Sequence, residues 1–145
     1  MTSKIKIVVP FEIIDDNDVP IVKFYLDATP RYAILDTGAE STLFDKSVSH
    51  LLHVTKTEEI SIVGVSGETE RANIDMVETK MWMQDHVKHI AILNVSGYIN
   101  DLSHLSDYFL GVNSKKRISA ILGSDMLNHF NAKIDFIKHE VTFNL

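Results

Sequence analysis

Apolar and polar residues alternate with a period of two through most of the chain, which predicts strands rather than helices. Lys4 to Val9 alternate before an apolar patch, and Phe11 to Ile14 continue the strand beyond Pro10, a residue that suits an edge or a bulge. Asp15-Asp16-Asn17-Asp18 then reads as a turn. Val22, Phe24 and Leu26 alternate with Ile21, Lys23 and Tyr25 over residues 20–27, and Ala28-Thr29-Pro30 turns the chain into Arg31–Leu35. Ser41 to Phe44 form a short strand, and Asp45 to Leu52 a loop or one helical turn. Ile60, Ile62 and Val63 lead into Gly64-Val65-Ser66-Gly67, a glycine-bracketed hairpin turn returned by Thr69 to Met76. Val77–Met83, Val87–Val95, Ile118–Leu122, Ile134–Ile137 and Val141–Leu145 are the remaining strands.

Helical spacing appears twice. Leu102, Leu105 and Phe109 repeat at helical intervals, with Asn100 or Asp101 as N-cap and Gly111 as the stop. Asp125 to Phe130 make a second short helix behind Gly123, with Ser124 as cap and Met126, Leu127 and Phe130 facing the core. Asp125 suits the positive end of that helix, a structural role rather than a catalytic one. The pattern predicts one all-β domain over residues 1–145 with one or two short helices.

Composition narrows the function classes. A chain of 145 residues, 45% hydrophobic and 23% charged, suits a soluble globular domain. A formal charge of −6 without a basic stripe argues against nucleic acid as a partner. No apolar run approaches the roughly 20 residues of a membrane helix, and the N-terminus does not read as a signal peptide. With no cysteine, disulfides and thiolate chemistry are excluded, and a cytoplasmic location is the expectation. No metal or other cofactor is expected. Asp15–Asp18 lacks the glycine and bidentate glutamate of a calcium loop, and His50 and His53 have no third ligand nearby. On an alternating strand His86 and His89 would point to opposite faces, which rejects an Asp85–His86–His89 site.

The chemistry sits in Ala33-Ile34-Leu35-Asp36-Thr37-Gly38-Ala39-Glu40-Ser41-Thr42-Leu43-Phe44. Ile34 and Leu35 read as the end of a strand with no wet face, and an acid placed directly there is costly unless its charge is bound or used. The plain reading is a turn in which Asp36 bonds backbone amides and Gly38 supplies a positive φ.

Two apolar residues, Asp-Thr-Gly-Ala and renewed apolar sequence resemble the active-site loop of aspartic proteases. Downstream, Ala120-Ile121-Leu122-Gly123-Ser124-Asp125-Met126-Leu127 is similar to the second signature of the retroviral-type branch. The resemblance to retropepsin-like proteases covers residues 20–145. It implies a closed, barrel-like β domain with a flap hairpin at Val63, Gly64, Val65, Ser66 and Gly67, where substrate would be covered.

Hydrolysis by carboxylates needs two acids a few ångströms apart, sharing one proton. Asp36 alone among the twelve aspartates is followed by Thr-Gly or Ser-Gly, so a second chain must bring the other acid. The resemblance implies the same homodimer, an extended peptide or protein substrate, and Asp36 as catalytic acid. It also implies Thr37 bonded to the partner's loop, Gly38 admitting the substrate backbone and Ala39 beneath it. Residues 4–9 and 141–145 are candidates for interleaved strands at the dimer contact. The competing reading is an inactive retropepsin-like module that binds peptides by strand addition or serves only to dimerise.

Overall fold

The computed structural model describes residues 5–13, 19–63, 66–105 and 117–145. Among these residues ten strands carry the fold: β1 (Lys6–Ile13), β2 (Pro20–Tyr25), β3 (Pro30–Leu35), β4 (Leu43–Asp45), β5 (His53–Val63), β6 (Thr69–Gln84), β7 (Ile90–Asn100), β8 (Ile118–Leu122), β9 (Lys133–Asp135) and β10 (Glu140–Asn144). A 3₁₀ turn at Lys46–Leu51 follows β4, and helix α1 (Ser124–His129) follows β8.

Six of the strands close on themselves. The order β6-β7-β4-β8-β3-β2 returns to β6 through the pairing of Tyr25 with Trp82, making a barrel without internal edges. Most neighbours are antiparallel, but β3 runs parallel to β8 and β4 parallel to β7. Phe24, Phe44, Met81, Met83, Leu93 and Leu122 fill the interior without measurable exposure. Truncating a buried phenylalanine such as Phe44 to alanine costs about 3–5 kcal/mol.

The strand before Asp36 is dry on both sides, as its sequence implies. Ala33 and Leu35 face the barrel core, while Ile34 joins Ile21 and Ile118 in a second cluster on the other face. Leu105, from the segment after β7, packs on that second cluster together with Val19 and Tyr32.

Several boundaries differ from the sequence expectation. The return strand of the hairpin does not end at Met76; β6 is one strand of 16 residues. Its first half pairs only with β5 and is largely exposed, whereas from Met76 onward it also pairs with β7 inside the barrel. The change of environment at Met76 shifts the apolar phase and makes one strand look like two. His86 and His89 lie in a turn between β6 and β7 rather than on a strand, where Asp85 Oδ1 accepts the N–H groups of Val87 and His89. Trp82 stands 42% exposed on the outer face of β6, between the fully buried Met81 and Met83. Ser124 does not cap α1 but is its first residue, and the N-cap is Gly123.

The terminal strands pair with each other within one chain. Pro10 marks the point where β1 changes partner, with Lys6–Pro10 against β10 and Phe11–Ile13 against β2. β10 lies between β1 and β9 in the same chain, with Glu140–Thr142 paired on both sides. The expected turn at Asp15–Asp18, Gly64 and Val65 of the hairpin tip, and Phe109 and Gly111 of the inserted helix lie outside the described residues. The start of that insertion is as expected: Asp101 Oδ1 accepts the backbone N–H and hydroxyl of Ser103, a side-chain cap, and Leu105 N–H donates to the Leu102 carbonyl at 3.0 Å.

Candidate active site

Parallel pairing brings the two sequence signatures together. Leu35 stands beside Leu122 in register, so β3 and β8 end at the same level and release Asp36 and Gly123 side by side. The Asp36 N–H donates to the Leu122 carbonyl at 3.0 Å, carrying the ladder one residue past the strand. Beyond it the chain tightens. Gly38 N–H donates to Asp36 Oδ1 at 2.9 Å, and Ala39 N–H to the Asp36 carbonyl at 3.2 Å.

Gly38 therefore acts differently from the plain expectation. Its φ is not in the left-handed region, where Gly67 alone stands among the described glycines. What its missing side chain provides is room: a Cβ would sit 3.3 Å from Asp36 Oδ1. Asp36, Thr37 and Gly38 are exposed, and Ala39 is half-buried. The acid is thus presented to solvent, not buried under its own loop.

The loop is fixed from behind by residues 123–125. Ser124 N–H donates to the Ala39 carbonyl at 2.7 Å. Gly123 N–H donates to the Thr42 hydroxyl oxygen at 3.1 Å, and that hydroxyl donates to Asp125 Oδ1 at 2.8 Å. Thr42 N–H donates to Asp125 Oδ2 at 3.0 Å, so both carboxylate oxygens are engaged. Thr42 is fully buried, and a buried hydroxyl bonded on both sides holds its neighbours in place. Asp125 is structural, as expected, although its main partners are in the Asp36 loop rather than its own helix. Gly123 is obligatory for contact reasons, since a Cβ there would lie 2.7 Å from the Ser41 carbonyl carbon and oxygen. Gly97 plays the same part on β7, where a Cβ would come within 2.6 Å of the Thr42 carbonyl oxygen.

Sequence reading missed Thr42 and Gly97. Thr42 sits between Ser41 and Leu43 at the start of a short strand and looks like strand filler, and nothing near Gly97 signals that another backbone passes against it.

The β5–β6 hairpin carries the remaining candidate residues. Its strands pair without a third partner from Val63↔Thr69 inward to Thr57↔Asp75, and Val63 is 69% exposed. Ser66 and Gly67 follow in the turn, with Gly67 at φ +80°, a conformation that favours glycine. His50 and His53 are both exposed, and no group of three metal-ligating side chains occurs among the described residues.

Residues 16–135 match the family described as retroviral aspartyl protease. No curated protein matches the chain. Among solved structures it is similar to a retropepsin-like aspartic protease from Rickettsia conorii, at 14% identity and a TM-score of 0.48, over 99% of this chain and 94% of that one. It is also similar to the retroviral protease-like domain of Ddi1 from Leishmania major, again at 14% identity and a TM-score of 0.48, over 85% and 86% of the two chains. With the family matched across most of its length, on a closed six-stranded barrel that sets the Asp-Thr-Gly loop against Gly123-Ser124-Asp125, the chain belongs to the retroviral aspartyl protease family.

Proposed function

We propose that the protein is an aspartic endopeptidase whose dyad is formed by Asp36 from each of two copies of the chain. The observation that carries this reading is the presentation of Asp36. An exposed carboxylate stands at the end of a strand dry on both faces, on a loop whose backbone is tied to residues 122–125. Such rigid placement costs a turn nothing to forgo, but two acids that must share one proton depend on it.

In the dimer one carboxylate is ionised and takes a proton from water, and the other is protonated and donates to the scissile carbonyl. Thr37 braces the loop of the partner, Gly38 admits the substrate backbone beside Asp36, and Ala39 lies beneath it. Residues Val63 to Gly67 act as the flap over an extended peptide or protein substrate.

The test is Asp36→Asn, assayed on a broad library of unstructured peptides from mildly acidic to neutral pH. Loss of hydrolysis with fold and dimer intact is the expected result. Equal cleavage by both proteins would overturn the mechanism, and cleavage by neither would leave a peptide-binding module.

A further inference from the structure

We propose that a gap in one edge of β6, away from the Asp36 loop, is a second binding site that takes the free C-terminus of an extended peptide. β7 holds one edge of β6 from Met76 to Gln84. The opposite edge is shared by two strands. β5 reaches it with His53, opposite Glu78, and β2 meets it at Tyr25, opposite Trp82. Between those contacts Thr79, Lys80 and Met81 have no strand beside them. Successive residues of a strand direct their N–H and C=O groups to alternate edges, so this stretch turns at least one donor and one acceptor into the gap. An open edge of this kind takes an added strand.

A cavity of about 630 Å³ lies against the gap. Its apolar walls are Leu26, where the chain leaves β2, Leu51, which ends the 3₁₀ turn before β5, and Trp82 and Val95. Both flanking chains turn away at this level, and their departure opens the space. Glu78 and Trp82 stand about 13 Å apart along the strand, so an added segment has room for roughly three residues before it meets His53 or Tyr25. The end of a chain fits such a gap better than its middle. Charge chooses which end. Lys80 and His53 line the cavity, and Lys80 forms no ion pair among the described residues. Glu78 lies at the β5 end and disfavours a carboxylate there, whereas Lys80, in the middle of the gap, attracts a carboxylate and repels an ammonium group. None of the lining residues belongs to the Asp36 loop or to the hairpin tip, so the site is independent of the proteolytic reading.

Trp82 is the only tryptophan in the chain, and its fluorescence reports on the cavity directly. N-acetyl-alanyl-valyl-leucine, as free acid and as C-terminal amide, is titrated to millimolar concentration against the full chain carrying Asp36→Asn. The amide resonances of Thr79 to Met81 are followed in parallel. Saturable changes in both signals are expected, with the acid about fivefold tighter than the amide. Adding Lys80→Gln should bring the acid to the affinity of the amide and leave the amide unchanged. No saturable change at Trp82 or at Thr79 to Met81 would overturn the site. Equal binding of acid and amide before Lys80→Gln is added would overturn its assignment to a chain end. Shifts confined to Gly38 and Gly67 would put the peptide in the cleft and overturn it as well. Because Asp36→Asn is used throughout, these outcomes do not depend on whether wild type hydrolyses peptides, and the two readings fail separately.

Discussion

Thr42 and Asp125 stand 83 residues apart and are joined by two hydrogen bonds, at 3.0 and 2.8 Å, one to each oxygen of the carboxylate. Through them the loop that carries Asp36 is attached to the start of α1. Because Gly123 N–H also donates to the Thr42 hydroxyl, one buried side chain links both signatures of the family. Removing either partner leaves polar groups without their bonds, which costs about 1–3 kcal/mol for each unsatisfied buried group. Thr42→Val and Asp125→Ala should therefore each destabilise the fold by about 1–3 kcal/mol in urea unfolding. The double variant should lose less than the sum of the two. Strict additivity would mean the pair is incidental.

Gly123→Ala should be worse than its single methyl suggests. The added carbon would meet backbone atoms of Ser41 and Ala39 at 2.7–2.8 Å, and backbone cannot rotate away as a side chain can. Overpacking of this kind costs about 1–3 kcal/mol, and relief would have to come from displacing the Asp36 loop. Hydrolysis should fall by more than the unfolded fraction explains. Unfolding and activity measured on the same sample check this, and a stable, fully active variant would show that the loop tolerates the shift.

Asp101 gives the insertion a dependence on pH. Hydrogen bonds from the Ser103 hydroxyl and then its backbone N–H hold this carboxyl below its ordinary value of 3.8. A depressed pKa stabilises the folded form fully above the unfolded value and loses that contribution as pH falls through the folded one. The cap should therefore be intact at pH 5 and weaken below about pH 4. Amide exchange at Leu105, corrected for the intrinsic rate, should lose protection over that window in wild type and show no such step in Asp101→Ala. Equal behaviour of the two would remove Asp101 from the account of this turn.

Much of the site could be read from residue order. Two apolar residues before Asp36, and Ile121-Leu122 before Gly123, announce buried strands that stop at a chemically loaded turn. Their mutual placement was not legible, since nothing in an apolar run states which strand it will lie beside or in which direction. The parallel register of Leu35 with Leu122 is a property of the closed barrel. The same holds for Gly97, whose role exists only because the Thr42 carbonyl passes over it. The terminal strands were legible as strands, but alternation at Lys4–Val9 and Val141–Leu145 does not state that β1 and β10 pair with each other within one chain.

That pairing within the chain decides what a truncation does. Val141 and Phe143 are fully buried, and the Phe143 ring meets Phe130 edge-on at a centroid distance of 6.4 Å. Removing residues 141–145 should unfold the domain rather than merely weaken a dimer, and Phe143→Ala alone should cost about 3–5 kcal/mol. Circular dichroism across a denaturant series separates the two outcomes. A folded, monomeric truncation would return these residues to the dimer contact.

The central claim is that each active site needs one Asp36 from each of two chains, and subunit mixing tests it most directly. A fixed amount of wild type is allowed to exchange with increasing Asp36→Asn at concentrations where dimers are saturated, and hydrolysis is followed. Random pairing draws wild-type chains into dimers with a single carboxylate, so an equimolar amount of variant should lower the activity to about half and further additions should lower it more. Activity that stays constant as inactive chains accumulate would mean that one chain carries the whole reaction, and would contradict the claim.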